Sequence, residues 1–316
     1  MPLHATPVDL SDPDASLDAF GQFDDLAARA QVAYLVEMDH FIAEKSAFRL
    51  LCIRYLASRG WRWFGEEVDA RLGARLDRYL TDGTEEMLEP LVEDPWYTSG
   101  ILARPAGEHD DQAMQRDRAV LVRAVRRAVP DARWFGFDIG GGDADYLAAA
   151  NAANSYAELD PVMALRERKI HARVDDFLHT HPGEKVALLA GSLHLMKDDA
   201  SVHAPGVTGP GGSTVCSVGH HVAQESHRGP ILAFWLLHGE GNSANPYLPP
   251  PANLRPGKHS LNAELLERFD SPVVLRVDDD TAERTITQMH NADMRCRLAD
   301  QVDGIVFAPR VTPLRA

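Results

Sequence analysis

Short runs of almost unbroken apolar residues, each ending on ionisable or glycine-rich sequence, constrain this chain more than any other feature. They are QVAYLVE (31–37), WRWFGEE (61–67), ARWFGFDIGGG (132–142) and EKVALLAGSLH (184–194). A strand with one face in water alternates apolar and polar side chains; these runs do not, so both faces must be covered. Between them lie helical patterns, one over about 41–59 and one over about 158–180. In the first, Phe41, Phe48, Leu51, Cys52 and Tyr55 recur at helical spacing, and Gly60 suits the position past its end. Strands alternating with helices predict an α/β fold, with a mostly parallel central sheet flanked by helices. Residues 1–316 read as one domain. Within it, the polar helical stretch 68–130 reads as an insertion and a candidate lid, together with the glycine-rich loop 204–213. TVCSVGHHVA, ILAFWLLHG, SPVVLRV and DGIVFAPRVTPL are further strand candidates, and the proline-rich segment 242–257 reads as irregular surface.

Charge narrows the partners. The chain carries a net charge of −15 with a pI near 5.3, which argues against nucleic acid, because phosphate binding needs clustered Lys and Arg. The basic stretch 116–129 reads as the solvated face of an amphipathic helix. Cys52, Cys216 and Cys296 are too widely spaced for a zinc-finger pattern and odd in number, so neither a disulfide framework nor structural zinc is expected. No signal-peptide pattern opens the chain, and no apolar run approaches the roughly 20 residues needed to span a bilayer. The expectation is a cytoplasmic protein with a small-molecule substrate, and with neither a membrane nor a nucleic-acid partner.

Polar residues collect where the strands end. In open α/β sheets the ligand crevice lies outside the carboxyl ends of the strands. That rule groups Glu37, His40, Glu67, Asp138 and His194, although they are far apart in sequence, with Glu66 beside Glu67 as a supporting residue. Asp39 reads as the N-cap of the following helix. Glu44, four residues after His40, could share a helical face with it and orient its ring. GHHVAQESH (219–227) holds three histidines, but His220 and His221 would point to opposite faces of a strand and make a poor chelating pair. GxSxG and HExxH are absent, and DIGGGDADY lacks the dinucleotide fingerprint.

With these residues in view, the stretch 31–67 resembles the opening of the erythromycin-esterase-like family. That pattern is a strand, Glu-x-x-His, then Glu and Arg on a helix, then Gly and a strand ending in Glu. Glu37, His40, Glu44, Arg49 and Glu67 match it; MALRERKIHARVDDFL matches a later helical block, placing Arg166 and Glu167; KVALLAGSLHL matches a strand end, placing His194. Val36 and Phe41 stand where the family has Gly, Gly191 where it has a first His, and Ser192 where Asn is usual. The resemblance implies hydrolysis of an ester, lactone or related acyl group without a Ser nucleophile. His40 would be the general base, Glu37 or Glu67 would orient it, and His194 or Arg166 would stabilise the oxyanion. No cofactor is implied. The alternatives are cyclisation or elimination on the same fold, a divalent metal held by Glu37, His40, Glu67 and His194, and haem bound through Tyr34, Met38 or His40, as the wider superfamily includes Tiki-type metalloproteases and haem-binding ChaN-like proteins.

Overall fold

A computed structural model describes residues 5–88, 109–139, 143–199, 202, 216–225, 229–244, 252–277, 283–288 and 291–314. Strand β1 (Ala5–Pro7) leads through a 3-10 turn to helix α1 (Asp24–Arg29). Then follow β2 (Val32–Glu37), α2 (Glu44–Ala57), β3 (Trp63–Asp69), α3 (Ala70–Asp82), α4 (His109–Ala128) and β4 (Arg133–Asp138). The second half runs α5 (Ala144–Ala152), α6 (Tyr156–Thr180), β5 (Val186–Gly191), α7 (Val218–Ala223), β6 (Ile231–Ser243) and β7 (Ala252–Leu254). It closes with α8 (Leu261–Arg268), β8 (Val273–Arg276), β9 (Glu283–Thr287), β10 (Asp293–Arg297), α9 (Leu298–Gln301) and β11 (Gly304–Val311). The main sheet has the order β1-β8-β11-β6-β2-β5-β3-β4, with β7 paired to β6, while β9 and β10 form a separate ladder. From β11 to β4 every neighbour is parallel.

Burial on both faces follows from the apolar runs. Along β2, Ala33 and Leu35 join a core built with α2, α3 and α4, while Val32, Tyr34 and Val36 join a core built with α6, α7 and α8. Every residue of β2 and β5 is buried. Their carboxyl ends, with those of β3, β4 and β6, therefore share one rim, and everything polar on that rim must be paired.

Several elements differ from the sequence-based expectation. The helix expected over 41–59 begins at Glu44, and its N-cap position, Ala43, has no capping side chain. TVCSVGHHVA contributes a helix, not a strand: Ser217 accepts a hydrogen bond from the His220 backbone N–H and starts α7. The segment 242–257 supplies the end of β6 and the short β7, in which Ala252 and Leu254 are buried. Of the expected lid, α3 packs on β3 and β4 and α4 packs on α2; residues 89–108 and the 204–213 loop lie outside the described residues. No helix among the described residues is long and apolar enough to cross a membrane.

Candidate active site

Two buried ion-pair clusters meet at the strand-end rim. The first is built on Arg49 of α2, which lies on the buried side of that helix against β2 and β3. Its Nη2 donates to Glu37 Oε1 (2.6 Å), its Nε to Glu37 Oε2 (3.3 Å) and its Nη1 to Glu66 Oε1 (2.9 Å). Glu66 also accepts from Arg118 Nε of α4 (3.1 Å) and from Trp134 Nε1 (3.2 Å). Burial alone would push both carboxyl groups toward the neutral form, but the guanidinium groups outweigh it. Arg49, with His40, holds Glu37 below the usual carboxylate range, and Arg118 and Arg49 do the same for Glu66.

His40 joins this cluster through Nδ1, 3.1 Å from Glu37 Oε1. Because Glu37 is held as a carboxylate it can only accept, so Nδ1 donates to it and the other ring nitrogen, Nε2, is the one left to exchange a proton. The backbone carbonyl of His40 accepts from Lys45 Nζ (2.8 Å), which also pairs with Asp117 Oδ2 (3.3 Å). The ring lies over the last residue of β5: a Cβ at Gly191 would come within 2.8 Å of His40 Nε2 and 3.7 Å of Glu67 Oε2. Glycine is needed there because the imidazole occupies the space of a side chain.

The second cluster is built on Glu67, which strand alternation places on the opposite face of β3 from Glu66, away from the Arg49 side. Glu67 Oε2 accepts from the Gly191 N–H (3.0 Å), and Oε1 meets both Arg166 Nη2 (3.0 Å) and His194 Nε2 (3.1 Å). Arg166 also clasps Asp138, through Nε to Oδ1 (3.0 Å) and Nη2 to Oδ2 (2.6 Å). The other nitrogen of His194, Nδ1, pairs with Glu167 Oε1, and Glu167 Oε2 accepts from the Val218 N–H. Burial would depress the His194 pKa, but Glu167 and Glu67 override it and raise it to about 10, so this imidazole is a fixed cation. Glu67 lies well below the carboxylate range because His194, His40 and Arg166 outweigh its burial; Glu167 is lowered mainly by His194 against the same penalty.

The two histidines thus differ in kind. His194 has a side-chain exposure of 9% and a carboxylate on each nitrogen, whereas His40 is 28% exposed with one carboxylate. Of the two, His40 is the one that combines access from solvent with a ring nitrogen not paired to a carboxylate.

Other expected site residues fall elsewhere. Glu44 faces the end of β11, accepting from the backbone N–H and the hydroxyl of Thr312, and does not orient His40. Asp39 is not a helix cap: its Oδ1 accepts from the Phe41 N–H (2.7 Å) and Ser243 Oγ (3.1 Å), pinning the turn after β2 to β6. Tyr34 is wholly buried and donates to the Gly219 carbonyl (2.7 Å), and Met38 lies in the core, so neither has the access a haem ligand needs. Arg118 is the main residue that sequence reasoning missed. It sits in the stretch read as a solvated face, yet it is 7% exposed and holds Glu66. Its spacing carried the signal, because Leu121, Val122 and Val125, three to seven residues on, are the buried stripe of α4.

No protein-family model matches the chain, and no curated protein matches it. Solved structures do. A mutant of the erythromycin esterase EreC in its open conformation superposes with a TM-score of 0.69 at 15% identity, covering 98% of each chain. A succinoglycan biosynthesis protein gives 0.69 at 14% identity, over 98% of this chain and 95% of that one. A Bacillus cereus protein gives 0.68 at 13% identity, over 99% of this chain and 97% of that one.

Proposed function

Starting from the fold it shares with an erythromycin esterase over nearly its whole length, we propose that this protein is a hydrolase-like enzyme. Its substrate class is an ester, lactone or related acyl group of a small natural product, cleaved by attack of water with His40 as general base. The observation that carries the reading is the Arg49–Glu37–His40 relay. A buried carboxylate, kept charged by Arg49, fixes the tautomer and plane of an accessible imidazole, the role an acid plays behind a catalytic histidine.

In the proposed step, His40 Nε2 takes a proton from water as its oxygen bonds to the acyl carbon. The resulting oxyanion feels the fixed positive charge of His194 and Arg166. Collapse breaks the acyl C–O bond, and the His40 imidazolium returns its proton to the leaving alkoxide. Glu67 couples the halves, because it touches His194 and Arg166 and lies beside the His40 ring. A divalent cation held by Glu37, His40, Glu67 and His194 is the weaker reading. The oxygens of both glutamates already accept from guanidinium, imidazole or backbone N–H groups, and His194 has no lone pair to offer.

Turnover of a panel of macrolide lactones and p-nitrophenyl esters in ¹⁸O-labelled water tests the reaction type. One solvent oxygen in the acid product supports hydrolysis. A ring-opened or cyclised product without label contradicts it and assigns the base to elimination or cyclisation.

A further inference from the structure

A second cluster of ionisable residues lies on the other side of α6 from the Arg166–Asp138 clasp. Glu167, His171 and Asp175 follow one another at intervals of four and form a single stripe along α6 facing the segment 216–225. Glu167 holds the Val218 N–H, His171 Nε2 lies 2.9 Å from the Cys216 carbonyl, and Asp175 meets His221. The adjacent histidines of α7 diverge: His220 Nδ1 lies against the Asp199 N–H and the Lys197 carbonyl, while His221 turns to α6. The strand geometry that argued against chelation by this segment does not apply, because the segment is helical.

We propose that Asp175, His221 and Glu225 form a divalent-metal site of the Zn²⁺ type that pins α7 to α6. Three observations support it. One donor atom from each residue lies within 4.8 Å of the other two, and all three residues are half-buried. His221 Nε2 faces the middle of the Asp175 carboxylate, 3.0 Å from Oδ1 and 2.9 Å from Oδ2. In the metal-free chain that contact is an imidazole–carboxylate hydrogen bond, so the ion would replace its proton and part the two groups slightly, to the spacing of two donors on one zinc. Finally, the His221 ring is stacked on His171, with centroids 4.4 Å apart and planes 7° apart, and His171 is itself fixed by the Cys216 carbonyl. The stack fixes the plane of the His221 ring, so Nε2 stays directed at Asp175. One imidazole and two carboxylates suit Zn²⁺, with the fourth position open to water.

The site is separate from the Glu37–His40 rim and does not depend on the proposed hydrolysis. Its expected effect is structural: Glu167, on the same α6 stripe, holds both α7 and His194. Isothermal titration of the EDTA-treated, dialysed full chain with Zn²⁺ tests it, alongside the Tm with and without the ion. The expected result is one bound equivalent and a higher Tm, with affinity at least tenfold weaker in His221→Ala, Asp175→Asn and Glu225→Gln and unchanged in His40→Ala. Even an outer-shell partner of a metal is worth about 10–100-fold. Asp175→Asn and Glu225→Gln keep side-chain shape, so they report on ligation even if His221→Ala folds poorly. Lack of saturable binding, or binding that survives the two isosteric substitutions, overturns the site. Binding lost only in His40→Ala also overturns it, and places the ion at the rim.

Discussion

Arg49 shows what a single residue does here. It is the shared counter-charge of Glu37 and Glu66, and all three side chains are buried. Replacing it with Met would keep much of its volume but leave Glu37 with only the His40 ring, and Glu66 with only Arg118 and Trp134, as buried partners. Breaking a buried pair by removing one partner costs about 3–5 kcal/mol, so Arg49→Met should unfold at markedly lower urea concentration than the parent. A loss of unfolding free energy below about 1 kcal/mol, as for a surface ion pair, would show that the pair is not desolvated. At this scale the sequence was informative but incomplete. Glu37, Glu66 and Glu67 announced themselves, because a carboxylate ending an apolar run must be paired. Arg49, Arg166 and His194, which pair with them, were legible too; Arg118, the further partner of Glu66, was not, because it comes from a helix whose charged residues look solvated until the chain folds.

At the scale of elements, the site depends on the end of β5 approaching the turn after β2. Gly191 lets the His40 ring lie over the strand, and a methyl group there would overlap His40 Cε1 at 2.7 Å. Gly191→Ala should therefore displace the imidazole. Overpacking costs about 1–3 kcal/mol, whereas a misplacement near 1 Å can cost on the order of 10²-fold in rate. The expected outcome is a variant that stays folded by circular dichroism with turnover down on that scale; full turnover would mean that the ring is not held as described. The parallel strands were legible because burial on both faces erases alternation. α7 was not legible: its six residues are too few for a helical period to show, and Val-rich sequence reads as strand. The signal present was Ser217, a capping residue. Asp39 failed the other way, as a capping residue whose helix starts five residues later.

For the whole molecule, the paired carboxylates and His194 set a pH window. Glu37, Glu66, Glu67 and Glu167 titrate lower in the folded chain than their ordinary value of 4.5. Their contribution is therefore present above about pH 4.5 and lost as pH falls through the folded values. His194 titrates higher folded, at about 10 against 6.5, so its contribution is complete below about pH 6.5 and is lost as pH rises toward 10. Tm should be greatest between these limits, and His194→Gln should remove the alkaline decline; a Tm that rises from pH 6.5 to 9 contradicts the imidazolium assignment. The sequence foretold the architecture at this scale, since strand–helix alternation and doubly buried strands leave few other folds. It did not foretell which histidine is accessible, which depends on how many carboxylates surround each ring. The accessible ring is the one proposed to act as base, and turnover by His40→Ala on the best acyl substrate found is the measurement that bears on it. A general base is worth about 10²–10⁴-fold, so turnover should fall at least 10²-fold with Tm little changed; a folded His40→Ala protein with full turnover would rule out His40 as the base.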